Sequence, residues 1–221
     1  MHTQAVEDYL KIIYELQREQ GKVATSMLAD RLGVVPASAT GMIKKQASMH
    51  LVTHEPYQGV VLTPAGEKIA LEVIRHHRLI ERYLAEALGV PWDQVHDEAE
   101  KWEHVLSEAM EDRIDAMLGY PTTDPHGAPI PARNGTITQP ACMRLAGLQP
   151  GQSALIVEVS DHDSALLRYL GGLGMYPGTE IRVIDVAPFD GPLTIQLGAT
   201  EHALGREVAS HIFVTELPRK G

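Results

Sequence analysis

The stretch His96-Asp97-Glu98-Ala99-Glu100-Lys101-Trp102-Glu103-His104-Val105-Leu106-Ser107-Glu108 sets two imidazoles among five carboxylates. On a helix, Glu100, Glu103 and His104 are spaced i, i+3, i+4 and share one face. Two carboxylates and an imidazole side by side repel one another unless a cation joins them, and a divalent metal ion answers that need. His96 lies on the same face, one turn before Glu100. At about 1.5 Å rise per residue, His96 and His104 stand roughly 12 Å apart along the axis. One ion does not reach both, so metal binding by both means two sites. The competing reading is a solvated acidic face with two surface histidines.

Upstream, residues 3–20 read as a helix: Val6, Leu10, Ile13 and Leu16, with Tyr9 and Ile12, form an apolar stripe that Gly21 ends. A short helix is expected over 26–32, stopped by Gly33. Pro36 then opens a second helix running to about Met49. Two helices joined by a tight turn are the helix-turn-helix pattern. The second helix offers Pro36, Ala37, Ser38, Thr40, Lys44 and Lys45, small and polar groups for base edges with lysines for phosphates. Residues 52–55 and 60–62 read as two short strands around Tyr57-Gln58-Gly59, a wing whose tip reaches DNA or merely caps the core. Thr63 and Pro64 start a helix that runs to about Leu88, with Gly89 as its stop. On it, His77 and Glu81 are i, i+4, a spacing for two ligands of one ion or for a surface pair.

Downstream, Pro91 and Trp92 are expected to open the helix that carries the acidic stretch, and a further helix spans about 108–118. Residues 120–131 read as a proline-rich linker containing Asp124 and His126. In the last 80 residues, strands are expected over 154–159, 180–186, 193–197 and 211–216, with a helical insert over 163–170.

Several of these words resemble the diphtheria-toxin-repressor family of iron- and manganese-dependent transcription regulators. They are His96-Asp97-Glu98-Ala99, Trp102-Glu103-His104, Arg75-His76-His77-Arg78-Leu79-Ile80-Glu81-Arg82, Glu7-Asp8-Tyr9-Leu10 and Leu62-Thr63-Pro64-Ala65-Gly66. The similarity covers roughly residues 1–136. Leu145-Ala146-Gly147-Leu148 and Leu170-Gly171-Gly172-Leu173-Gly174-Met175-Tyr176-Pro177-Gly178 resemble the SH3-like domain of ferrous-iron-transport A proteins, which longer family members also carry. The resemblance implies a mainly α chain with a β C-terminal domain: a winged helix-turn-helix over 1–66, a helical metal-binding and dimerisation domain over 67–136, and a small SH3-like barrel over 142–218. It implies a first metal site of Asp8, Glu100, Glu103 and His104. It implies a second from His77, Glu81 and His96, helped by Asp124 and His126 or by Asp161 or Asp163. His76 is read as bland.

Iron-selective relatives have Met and Cys where this chain has Asp8 and Glu100. Three carboxylates and an imidazole without sulfur suit Mn²⁺ or Fe²⁺, while Co²⁺, Ni²⁺, Zn²⁺ and Cd²⁺ are expected to bind in a test tube. The manganese branch often has an acid where this chain has Lys11, so one ion rather than a pair is expected in the first site. The expected partners are an operator in double-stranded DNA and a second copy of the chain, with no membrane and no small-molecule substrate.

Composition agrees. The net charge of −10 is uneven. Residues 1–68 carry seven basic and seven acidic side chains, whereas residues 69–140 carry six and thirteen. No acid occurs between Arg31 and His54, which leaves a basic patch over the helix-turn-helix. The single Cys142 fits a reducing cytoplasm. No stretch approaches the ~20 apolar residues of a membrane span, and no signal peptide is read at the start. An enzyme is not expected: neither a His-Glu-x-x-His word nor a phosphate-binding glycine loop occurs. The expected function is metal-dependent repression of metal-uptake genes. The alternative is a winged-helix regulator of an organic ligand, which would ignore chelators.

Overall fold

Apolar side chains at helical spacing close the first element as expected. In the computed structural model, which describes residues 3–55, 59–138 and 140–218, α1 runs Gln4–Gln20 and buries Val6, Leu10, Ile13 and Leu16. Helix α2 (Thr25–Leu32) ends on Gly33, whose φ of 64° is the left-handed cap that glycine adopts without strain. Helix α3 (Pro36–Ser48) follows after a three-residue turn. Tyr9, Ala29 and Ala39 bring the three helices onto one core with Leu32 and Met42. Gln46 Nε2 donates to the Val6 carbonyl at 3.0 Å and ties α3 to α1. Strands β1 (Val52–Glu55) and β2 (Gly59–Leu62) pair antiparallel as the wing. Helix α4 (Pro64–Leu88) starts hard against it: a Cβ at Gly66 would stand 2.0 Å from the Leu51 carbonyl oxygen.

The chain divides into two compact units: residues 1–77 with 102–108 and 131–136, and residues 78–101 with 109–130 and 137–221. The boundary falls inside α4. It also falls at the end of α5 (Val95–Trp102), and α6 covers Glu108–Met117. Two expectations change here. Helix α5 begins at Val95 rather than at Pro91, with residues 92–94 in a turn. It stops at Trp102, so Glu103 and His104 sit in the following turn, not on a helical face shared with Glu100. The Glu103 carbonyl stands 3.1 Å from His76 Nδ1, which takes it away from continued helix.

The second unit contains a six-stranded antiparallel sheet in the order β3-β8-β4-β5-β6-β7. The strands are β3 (Met143–Arg144), β4 (Ser153–Val159), β5 (Glu180–Val186), β6 (Leu193–Leu197), β7 (Thr200–Leu204) and β8 (Ile212–Glu216). Register breaks between Ile156 and Glu158 and between Val183 and Asp185 bend β4 and β5. Helix α7 (Ser164–Leu173) covers the core of Ile156, Leu167, Leu170, Val183 and Ile195. Strand β7, short β3 and helix α8 (Arg206–Ser210) escaped the sequence reading, because Thr200-Glu201-His202 carries no apolar alternation.

The proline-rich segment is not a loose linker. Asp124 Oδ1 accepts from the N–H groups of His126 (2.8 Å) and Ala128 (3.0 Å). Gly127 has φ 92°, and a Cβ there would lie 2.0 Å from the Val157 carbonyl oxygen at the β4 bulge. The Val159 N–H donates to the His126 carbonyl at 2.9 Å. Arg78 donates to the Pro129 carbonyl at 2.5 Å.

Candidate metal centres and DNA-binding face

In the first unit, α1 presents Glu7, Asp8 and Lys11 from its opening turns, α4 presents His77, and the turn after α5 presents Glu103 and His104. His104 Nε2 lies 2.7 Å from Asp8 Oδ1 and 3.2 Å from Glu103 Oε1. Its Nδ1 is 2.7 Å from Glu7 Oε2. Lys11 Nζ donates to Glu103 Oε2 at 2.8 Å and lies 3.1 Å from His77 Nδ1. His77 Nδ1 also makes a short contact with Glu103 Oε2. One ligand atom each from Asp8, Glu103 and His104 lies within 4.8 Å of the others. Glu103 Oε1 and His104 Nε2 are buried and lie 3.2 Å apart. Carboxylate oxygens from Asp8 and Glu103 beside an imidazole nitrogen fit a hard divalent cation, which takes the place of the His104 proton when it binds.

Charge in this cluster is finely balanced. Burial alone would raise the Glu103 carboxyl, but contacts with His104 and His77 and the Lys11 charge hold it well below the usual carboxylate range. Burial alone would lower His104. Hydrogen bonds to Glu103 and Glu7 and the charge of Asp8 overcome it and raise the imidazole to about 9.

Glu100, expected in this set, lies on α5 with its Oε1 3.8 Å from His96 Nε2. His77, expected in the second set, lies in the first unit, where its Nδ1 engages Glu103 and Lys11. Glu7 was missed, since a carboxylate beside Asp8 in a first helical turn looks like an ordinary response to the helix dipole.

The second unit gathers Glu81 from α4, His96 from α5, Asp124 and His126 from the proline-rich turn, and Asp161 from the β4–α7 loop. His96 Nδ1 is 3.3 Å from Glu81 Oε1 and 3.6 Å from Asp161 Oδ2. His126 Nδ1 is 3.9 Å from Glu81 Oε1. His126 Nε2 lies 2.7 Å from the Trp92 carbonyl. A carbonyl only accepts, so Nε2 carries a proton, and it is Nδ1 that is left to face a ligand. Asp124 Oδ2 and His126 Nδ1 are buried without a hydrogen-bond partner, and Glu81, Asp124 and His126 form a fully buried trio. Burial and the nearby Glu81 charge push the Asp124 carboxyl up to about 7. His96, despite burial, is raised to about 10 by Asp161 and Glu81. Arg78 Nε, 3.6 Å from Asp124 Oδ2, offsets part of this crowding, and a bound cation would offset more. Asp163 is used otherwise. Its Oδ1 accepts from Ala165 N (2.8 Å) and Leu166 N (3.3 Å) as the N-cap of α7.

On α3, Pro36, Ala37, Ser38, Lys44 and Lys45 are exposed, and Thr40 is half-buried with its hydroxyl donating to the Pro36 carbonyl at 2.8 Å. Val35 holds the N-cap with no side-chain cap and is 64% exposed. Tyr57 lies outside the described residues.

A winged helix-turn-helix in a chain that also carries two carboxylate–imidazole clusters defines a metal-responsive DNA-binding regulator. Family models agree segment by segment. The iron-dependent-repressor N-terminal DNA-binding domain matches residues 1–60, its metal-binding and dimerisation domain residues 63–132, and the FeoA domain residues 143–216. The iron-dependent repressor IdeR of Mycobacterium bovis is 30% identical over 96% of both chains. A solved manganese-dependent transcriptional repressor in complex with manganese is 38% identical, with a TM-score of 0.91 over 96% of this chain and 100% of that one. The manganese regulator SloR is 32% identical, with a TM-score of 0.80 over 96% and 98%. The chain belongs to the iron-dependent repressor family. It is a metal-dependent DNA-binding transcriptional repressor, not an enzyme. Among the described residues, no helix is long and apolar enough to cross a membrane.

Proposed function

We propose that this repressor responds to Mn²⁺ and binds the operators of metal-uptake genes as a homodimer. The observation that carries the choice of metal is the donor set of the first cluster, Asp8, Glu103 and His104, all oxygen and nitrogen with no sulfur. Solved ScaR structures hold Cd²⁺ or Zn²⁺, so several divalent ions are expected to bind this chain as well. Glu100 enters the first site on family resemblance. An ion there supplies the positive charge that offsets repulsion between Asp8 and Glu103. Asp8 rides on α1, and α1 is packed on α2 and α3 through Tyr9, Ala29 and Ala39. Holding Asp8 against the Glu103–His104 turn therefore fixes the orientation of the DNA-binding helices. In a two-fold dimer the recognition helices then sit about 34 Å apart, one turn of DNA.

Fluorescence anisotropy of an operator fragment from upstream of a metal-import gene tests this at fixed salt. Mn²⁺ should drive binding and a chelator should reverse it. Glu103→Ala should abolish the response while leaving the circular dichroism spectrum unchanged. Binding that ignores the chelator would overturn the reading and favour an organic effector.

A further inference from the structure

Trp92 sits in the turn before α5 and touches His126 of the second cluster on one side and the sheet domain on the other. Its carbonyl is 2.7 Å from His126 Nε2. Its indole lies 5.6 Å, centroid to centroid, from the His126 ring and 4.7 Å from the Tyr176 ring. It packs on the core of the sheet domain. Next to it, Asp93 Oδ2 is 3.2 Å from Arg168 Nη1 on α7. Helix α7 makes room for the ring: a Cβ at Gly171 would stand 3.0 Å from Trp92 Nε1 and 3.0 Å from the Tyr176 hydroxyl. A glycine inside a helix costs roughly 1 kcal/mol relative to alanine. The close approach of the indole accounts for Gly171, one of the two glycines in α7.

Two consequences meet at the cluster. Asp161 lies in the loop that leads into α7, and its carboxylate faces His96 at 3.6 Å. The position of α7 therefore sets whether Asp161 reaches that site. On the other side, the Trp92 carbonyl selects the tautomer that leaves His126 Nδ1 bare on the Glu81 side. We propose that Trp92 is the positioning residue of the second cluster, its indole seating α7 so that Asp161 faces His96 while its carbonyl fixes the His126 imidazole. The inference rests on the reading of that cluster as a metal site. It makes the seating of the C-terminal sheet domain and the filling of that site one linked equilibrium.

The test measures Mn²⁺ binding to the full chain by the paramagnetic resonance signal of free Mn²⁺. Glu81→Ala should remove one class of bound ion and so identifies the second site. Trp92→Ala should weaken that ion roughly 10- to 100-fold, as loss of an outer partner of a metal ligand does, and leave the first ion unchanged. Trp92→Phe, which keeps an aromatic ring on Tyr176 and the backbone carbonyl, should restore most of the affinity. Gly171→Ala keeps the indole but crowds it, and should reproduce the loss even if Trp92→Ala folds poorly. Trp92→Ala combined with Asp161→Asn should be little worse than the more damaging single change. Wild-type affinity in both Trp92→Ala and Gly171→Ala, or fully additive losses in the double variant, would overturn the proposal. If Glu81→Ala removes no ion, the metal reading of the cluster fails, and the proposal falls with it.

Discussion

Lys11 is a buried ammonium 2.8 Å from the Glu103 carboxylate, which is itself buried. Such pairs add little over an apolar substitute, but removing one partner strands the other charge at a cost of about 3–5 kcal/mol. Lys11→Met should therefore lower the urea stability of the metal-free protein by about 3 kcal/mol. Mn²⁺ should recover part of that loss, since the ion supplies the missing positive charge. An equal loss with and without Mn²⁺ would show that Lys11 and the ion do not act on the same carboxylate. The histidines give the pH dependence. His104 is raised from 6.5 to about 9, and His96 from 6.5 to about 10. A raised histidine binds its proton more tightly folded than unfolded. Its contribution is complete below about pH 6.5 and disappears as pH rises through the folded value. With chelator present, the melting temperature should fall between about pH 6.5 and 10. A flat profile would mean these two imidazoles are not held by their carboxylates.

At the scale of elements, α3 opens on Val35, where Ser, Thr, Asp or Asn ordinarily caps. A largely exposed valine there gives up a side-chain cap. Val35→Ser should raise stability by about 1 kcal/mol and weaken operator binding, because an apolar group at the tip of a recognition helix meets thymine methyls. Stability and binding rising together would show that the valine makes no contact with DNA. The elements themselves were largely legible in the chain. Apolar periodicity and glycine stops placed α1 to α4 within a residue or two, and strands over 180–186 and 193–197 were read as found. The sites were less so. Helical spacing put Glu103 and His104 on the acidic helix, whereas α5 ends at Trp102 and a turn carries both, its Glu103 carbonyl facing His76. Proline content made 120–131 look like a spacer, although Asp124 folds it and Gly127 seats it on β4. What Trp92 and Asp163 do carries no signal in spacing, since one works through a carbonyl and a ring and the other through a cap.

For the whole molecule, metal and DNA act on a shared equilibrium, so each must strengthen the other by the same factor. If Mn²⁺ tightens operator binding a hundredfold, a saturating operator duplex should tighten Mn²⁺ a hundredfold. Calorimetric titration of Mn²⁺ into protein with and without duplex measures this, and unequal factors would mean that the metal also controls assembly of the dimer. The turn at Asp124–Ala128 imposes a different constraint, on how this chain can change over evolutionary time. Surface spacers usually drift in length, gaining and losing residues without consequence. Here Asp124 and His126 belong to one buried cluster, and Gly127 fits against the β4 backbone with no room for a side chain. One residue inserted or deleted would turn the imidazole away from Glu81 and unseat the glycine together. This short, proline-rich piece of chain should therefore be frozen in length while its sequence on either side is free to wander.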